Sequence, residues 1–273
     1  MTLDRKYKRL LTAVLLLPLL AAVILFTLSG CSGSDEVVRS VVYEDMKASF
    51  EQSGLMSSNI GIFSRTEEDG SISYGECGSG IIFRKDGDKY YALTAAHVVS
   101  AENAQLLVFT TNTEMKSEET IPGLDCDVLA RETYDAMYPA ETEFVSTRDD
   151  LAVISFSTEE DLAVITLAED DPNKDDRIMC IGNPQNEWFS VSYGKVTSGI
   201  ETFGESHGYP SSAMRHTAYI HVGSSGGAAI NENMQLIGIT PGGFFSADGK
   251  TFKYGVLIPV SEINICLDAW DKQ

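Results

Sequence analysis

His221-Val222-Gly223-Ser224-Ser225-Gly226-Gly227-Ala228-Ala229-Ile230 is the stretch whose reading decides the fold. Two adjacent hydroxyls stand among three glycines, between residues that alternate like a strand and an apolar run that continues as one. Gly226 and Gly227 permit a tight backbone path on which a side chain would clash. A turn of this kind pushes one hydroxyl outward and aims backbone N–H groups at a single point. A serine nucleophile with an oxyanion hole needs that arrangement. Taken alone, the same residues also describe a Gly/Ser-rich loop.

Two further stretches weigh against the plain loop. Leu93-Thr94-Ala95-Ala96-His97-Val98-Val99 lies upstream, and Asp149-Asp150-Leu151-Ala152-Val153-Ile154 lies between it and the serine turn. A strand ending at Ala95-Ala96 has small neighbours that leave the His97 imidazole accessible as a base. In this order the three stretches resemble the trypsin-like serine proteases, most closely their bacterial Deg/HtrA branch. The resemblance runs from about Asn59 to Trp270. It includes Gly78-Ser79-Gly80 before a hairpin into Thr94-Ala95-Ala96-His97, then Ile178 to Pro184 and Ser190 to Ile200.

The resemblance implies an all-β fold of two packed six-stranded antiparallel β-barrels with a C-terminal helix. The strand texture agrees with this. Ile60–Phe63, Gly78–Phe83, Tyr90–Thr94, Leu106–Thr110 and Cys126–Arg131 read as short strands, with turns at Glu67–Gly70 and Lys85–Asp88. Later strands are read at Gln235–Thr240 and Gly255–Pro259, and Ser261 is expected to cap a helix from Glu262 to Trp270. The expected division is a targeting segment over 1–30, a tether over 31–58 and a protease domain over 59–273. Within that domain the barrels span about 59–168 and 169–260, and the helix 261–270. A short amphipathic helix is read over Val41–Phe50. The resemblance is to relatives of which many append a PDZ domain, and no such domain is expected here.

Carried over residue by residue, the resemblance makes Ser225 the nucleophile, His97 the general base and Asp150 its orienting carboxylate. Ser224 competes as a hydroxyl, but the serine directly before the paired glycines is the reactive one in the family pattern. Asp150-Leu151-Ala152-Val153-Ile154 recurs as Asp161-Leu162-Ala163-Val164-Ile165, so both copies read as strands led by an aspartate. The family's order points to Asp150 over Asp161 and Asp149. The oxyanion hole is implied at Gly223 and Ser225, with Ser224 contributing in some arrangements. Tyr219, six residues before the nucleophile, is implied at the base of the primary pocket. No acid stands there, which argues for an apolar or small preferred residue rather than Lys or Arg. Thr240, Gly242 and Gly243 are implied as the edge that pairs with a substrate backbone.

The chain carries a formal net charge of −20, and its first thirty residues are net basic through Arg5, Lys6, Lys8 and Arg9, so the remainder is more acidic still. Phosphate backbones would be repelled, and nucleic acid is not expected as a partner. The basic residues precede an uncharged apolar run from Leu10 to Leu28, the signature of a secretory signal and also long enough to span a bilayer. Leu28-Ser29-Gly30-Cys31 looks like a bacterial lipobox, which favours lipidation of Cys31 over an uncleaved helix. Either alternative puts the catalytic part on the extracytoplasmic face of the membrane. Cys77, Cys126, Cys180 and Cys266 allow three pairings, while Cys180 and Cys266 read as packed thiols. His207, His216 and His221 match no compact metal-ligand spacing and read as surface or pocket-rim residues. No metal or cofactor is expected. Polypeptides are the expected partners, with a homo-oligomer such as a trimer open. Two other readings stand beside the endopeptidase. One is a catalytically silent, peptide-binding member of the fold. The other is a latent enzyme whose loops need a partner to align them.

Overall fold

The computed structural model describes residues 43–75, 78–114, 133–184, 187–203 and 210–273. The lipobox, the apolar run, Cys77, Cys126, His207 and the strand expected at Cys126–Arg131 lie outside the described residues. Among those described, no helix is long and apolar enough to cross a membrane.

The first barrel is built from β1 (Asn59–Glu68), β2 (Ser71–Tyr74), β3 (Gly78–Asp86), β4 (Lys89–Thr94), β5 (Gln105–Phe109), β6 (Tyr138–Ser146) and β7 (Leu151–Ser157). Its strands pair in the order β1-β3-β4-β7-β6-β5, and β5 returns to β1 to close a six-stranded antiparallel ring. β2 extends β1 outside that ring. The second sheet uses β8 (Arg177–Gly182), β9 (Ser190–Lys195), β10 (Glu201–Thr202), β11 (Ser212–His216), β12 (Gly227–Ile230), β13 (Leu236–Phe245) and β14 (Phe252–Pro259). Its order is β10-β11-β14-β13-β12-β8-β9. This sheet curls into a half-closed barrel, in which Val196, just past β9, meets His216 at the end of β11 in one antiparallel bridge.

Strand periodicity explains why these segments are apolar on both faces. Alternate residues of a strand point to opposite sides. Ile82, Ala92, Ile154 and Phe156 fill the first barrel. Their neighbours Ile81, Leu93, Leu151 and Val153 face outward and meet Met179, Ile181, Ala228, Ile230 and Leu236 of the second sheet. Ile178, Cys180, Ala229, Ile237 and Leu257 then fill the second barrel. A run such as Leu151-Ala152-Val153-Ile154 therefore serves the barrel core and the inter-barrel seam at once. The repeated pentapeptide does not behave the same way. Asp161–Ile165 is not a strand. It is an extended connector, tied to the first barrel by the Ile165 N–H donating to the Ile82 carbonyl at 2.9 Å.

The helix read over Val41–Phe50, within the tether expected over 31–58, lies three residues further on. Helix α1 (Glu44–Ser53) and a 3-10 turn (Leu55–Ser58) precede β1, and α1 buries Met46 and Phe50 in the inter-barrel core. Arg177 of β8 reaches α1 with two hydrogen bonds to Asp45, at 2.7 and 3.1 Å. At the other end, α2 (Val260–Trp270) starts one residue before the expected Ser261 cap. Pro259 occupies the cap position, and the Ser261 N–H donates to Asp171 Oδ1 at 2.9 Å instead. Trp270 returns to the first barrel, where its ring meets Tyr91 and lies 4.8 Å beneath the Arg84 guanidinium. Cys180 and Cys266 are buried free thiols, as read, and burial pushes the Cys266 thiol up to about 11. His216 was read as a surface or pocket-rim residue. It is fully buried inside the second barrel, against Gly255, and burial lowers its pKa to about 4, so it stays neutral.

Because α1 completes the seam, Phe50→Ala is expected to cost about 3 kcal/mol of stability. Denaturant unfolding of the full chain measures this, and a change below about 0.5 kcal/mol would show that α1 is an appendage.

Candidate active site

His97 lies in a 3-10 turn (Ala96–Val99) directly after β4, and Asp150 stands at the turn that opens β7. β4 and β7 are paired neighbours, with Thr94 opposite Ala152, so their ends bring the two residues together. Asp150 takes a left-handed backbone with φ 50°, a conformation that aspartate tolerates better than most residues. Its carbonyl accepts from the Ala96 N–H at 3.1 Å. Its carboxylate accepts from the His97 N–H at 3.0 Å and lies 2.9 and 3.1 Å from His97 Nδ1 through its two oxygens. The Asp150 side chain is 10% exposed and that of His97 49%. A buried carboxylate thus holds one face of an imidazole whose other face is open, and Nδ1 carries the proton in that contact, which leaves Nε2 as the basic atom.

The competing aspartates are engaged elsewhere. Asp149 accepts from Ser146 Oγ at 2.8 Å and from Ser211 Oγ at 2.9 Å. Asp161 is fully exposed and pairs with Lys85 at 3.6 Å.

The serine stretch forms two consecutive turns. The Ser224 N–H donates to the His221 carbonyl at 2.9 Å, and Gly223 has φ +93°. A positive φ at the third turn position alone defines a type II turn. The Gly227 N–H then donates to the Ser224 carbonyl at 2.9 Å, with Gly226 at φ +85°. Space demands glycine as strictly as φ does. A Cβ on Gly223 would stand 2.3 Å from the Asn183 carbonyl oxygen, and one on Gly226 2.2 Å from that of Ser79. Gly226 also abuts the stretch leading to His97, since its Cβ would lie 2.9 Å from the Ala95 nitrogen. Among the described residues, no carbonyl accepts from the Gly223 or Ser225 N–H groups. Ser224 offers no such donor, because its N–H closes the first turn and its Oγ accepts from the His221 N–H at 3.2 Å. The expected oxyanion set therefore narrows to Gly223 and Ser225.

The Ser225 hydroxyl donates to the Pro241 carbonyl at 3.0 Å. The structure brings the serine turn beside the His97–Asp150 pair but sets this hydroxyl on Pro241, a residue the sequence reading passed over.

Tyr219 is half-buried. Its ring meets Phe252 at 5.3 Å and His221 at 6.2 Å, and Phe245 lies 5.2 Å from His221. Burial, with the Glu187 charge added, pushes the Tyr219 phenol up, and burial lowers the His221 pKa. Thr240, expected on the substrate edge, is buried. Its hydroxyl lies 3.2 Å from both the Ser224 and Gly227 carbonyls, and its carbonyl accepts from the Gly226 N–H at 2.8 Å. It braces the turn. The β12–β13 register ends at the Gly227–Thr240 pair, while β13 continues through Gly242 and Gly243 along β14. Ser79 and Asn183, which also brace the turn, were not assigned site roles from the sequence. The Gly78-Ser79-Gly80 motif was the available signal.

Residues 78–239 match the trypsin-like peptidase domain, and the chain belongs to that family. It is 26% identical over 227 residues to the protein named Serine protease HtrA-like in Staphylococcus aureus strains USA300, NCTC 8325 / PS 47 and MRSA252. That match covers 76% of this chain and 26% of each relative, so the chain spans about a quarter of the length of these curated relatives. A serine-to-alanine mutant of Rv3671c from M. tuberculosis H37Rv, solved in an inactive form, shares the fold with a TM-score of 0.58 at 16% identity. The likeness covers 81% of this chain and 90% of that one.

Substitution at the turn tests its geometry. Gly223→Ala is expected to cost about 2 kcal/mol of stability. Gly199→Ala, in open space, should stay within about 0.5 kcal/mol. Equal unfolding midpoints for the two variants would contradict the strained turn.

Proposed function

We propose that the chain is a serine endopeptidase of the extracytoplasmic face, acting through Ser225, His97 and Asp150 on polypeptides. The observation that carries this reading is the buried Asp150 carboxylate on His97 Nδ1, beside a serine turn that leaves two N–H groups without acceptors among the described residues. In the reaction the Ser225 hydroxyl leaves Pro241 by rotation about its Cα–Cβ bond and donates to His97 Nε2. Its oxygen attacks the scissile carbonyl carbon as His97 takes the proton. The carbonyl electron pair moves onto the oxygen, where the Gly223 and Ser225 N–H groups hold the charge. Asp150 steadies the imidazolium. His97 then protonates the leaving amine, the C–N bond breaks, and water repeats the sequence on the acyl-enzyme. The substrate backbone adds alongside Gly242 and Gly243, and the aromatic set around Tyr219 favours an apolar side chain over a cationic one.

Fluorophosphonate labelling of the full chain tests the nucleophile. Wild type and Ser224→Ala should label, Ser225→Ala should not, and Asp150→Asn should label about 10³-fold more slowly. Labelling that survives Ser225→Ala removes the assignment. A folded wild type that takes no probe favours the silent or partner-dependent alternative.

For localisation, the Leu28–Cys31 sequence supports a lipid anchor. A clickable palmitate analogue fed to bacteria expressing the chain should mark wild type but not Cys31→Ser. Equal incorporation in the two would leave the uncleaved helix as the reading.

A further inference from the structure

Ser79 is fully buried on β3 of the first barrel, yet its N–H and its hydroxyl both donate to the serine turn of the second. Its N–H donates to the Ser225 carbonyl at 2.7 Å. Its hydroxyl donates to the Gly223 carbonyl at 2.7 Å and accepts from the Asn183 N–H at 2.9 Å and Asn183 Nδ2 at 3.2 Å. One residue therefore grips the carbonyls on both sides of Ser224.

The consequence follows from the peptide planes. The Ser224–Ser225 plane, which carries the Ser225 N–H, is fixed because its carbonyl accepts from the Gly227 N–H and Thr240 Oγ1. The Gly223–Ser224 plane is fixed at both ends, by Ser79 Oγ on the carbonyl and by the His221 carbonyl on the N–H. The Val222–Gly223 plane carries the other donor. Its carbonyl accepts no hydrogen bond among the described residues, and Val222 is exposed. This is the central peptide of the type II turn. Rotating it converts type II into type I and points the Gly223 N–H to the opposite side. The Gly223–Ser224 plane, held by the Ser79 hydroxyl, fixes the C-terminal pivot of that rotation.

We infer that the Ser79 hydroxyl is a positioning group for catalysis, holding the Gly223 peptide so that its N–H faces the oxyanion. The inference rests on the serine-peptidase reading and deepens it. The first barrel then contributes to transition-state stabilisation as well as supplying the base. The Ser79 hydroxyl touches neither substrate nor reacting atoms and acts through Gly223.

The test compares fluorophosphonate inactivation kinetics of the full-length wild type, Ser79→Ala, Ser79→Thr and Ser155→Ala, each with an unfolding curve. Ser79→Ala keeps the N–H and removes only the hydroxyl. Ser155 is a buried hydroxyl on β7, bonded to Glu143 at 2.6 Å, and its loss reports stability alone. Ser79→Ala is expected to lower the maximal inactivation rate about 30-fold while the half-saturating probe concentration stays within about twofold. This is less than the hundred- to thousandfold cost of deleting an oxyanion donor outright. Ser79→Thr should recover to within about threefold of wild type, and Ser155→Ala should match it. A Ser79→Ala variant that labels at the wild-type rate overturns the inference while leaving the peptidase reading intact. So does a folded Ser79→Thr as slow as Ser79→Ala, or a Ser155→Ala equally slowed. Should Ser79→Ala fail to fold, the rate of Ser79→Thr decides. A folded wild type that takes no probe counts against an assembled site in this chain, and the inference falls with it.

Discussion

The contact on which the rest of this structure depends is the clamp between β3 and the serine turn. Gly223 and Gly226 hold left-handed conformations that cost most residues dearly, and a turn of this shape on an exposed loop would relax. It persists because it is pressed against Asn183, Ser79 and Ala95 closely enough to exclude any Cβ. Hydrogen bonds from Ser79, Gly227 and Thr240 take its carbonyls. Those partners come from both barrels, so the turn keeps its shape only while the barrels stay docked. The apolar seam that joins them is thus a requirement of the site as well as of stability.

The same logic governs the base. Burying a carboxylate is costly unless its lone pairs are filled, and Asp150 is filled from one side by the backbone N–H and Nδ1 of His97. Its left-handed backbone aims the side chain at His97 while its carbonyl takes the Ala96 N–H. The imidazole is fixed at the end of a strand pair whose register is set by barrel packing. Helix α1 adds to this indirectly. Met46 and Phe50 cap the seam from the outside, so residues ahead of β1 help to hold the two halves together.

Much of the fold was legible because the trypsin-like pattern spreads over motifs with strong local character. His97 and Asp150 meet at the ends of two paired strands, and the glycines of the serine turn take the tight path their composition suggests. The misses have physical causes. β6 reads as polar, with Pro139 and two glutamates, and it is a strand because β5 and β7 offer it hydrogen bonds on both sides. Asp161–Ile165 shares its letters with a true strand, yet it meets β3 through the Ile165 N–H on the Ile82 carbonyl and forms no ladder there. α1 was read as a helix over Val41–Phe50, but nothing local showed that its Met46 and Phe50 would be buried in the seam. His216 looked like a rim residue because nothing local marks a histidine as neutral and enclosed.

The sequence by itself determined the chemical cast and where the backbone must bend. Glycines that tolerate positive φ without strain, strands of period two and an aspartate leading an apolar run are local properties. Tertiary structure decided the rest. It set the Asp150 carboxylate on His97 and occupied Asp149 with Ser146 and Ser211. It drew Thr240 inward as a brace, spent the Ser224 N–H on a turn, and turned the Ser225 hydroxyl toward Pro241. It also set Ser79 against Gly223, 144 residues apart in the chain. Hydrogen bonds between distant segments depend on how two barrels dock, and no local pattern in the chain records that docking.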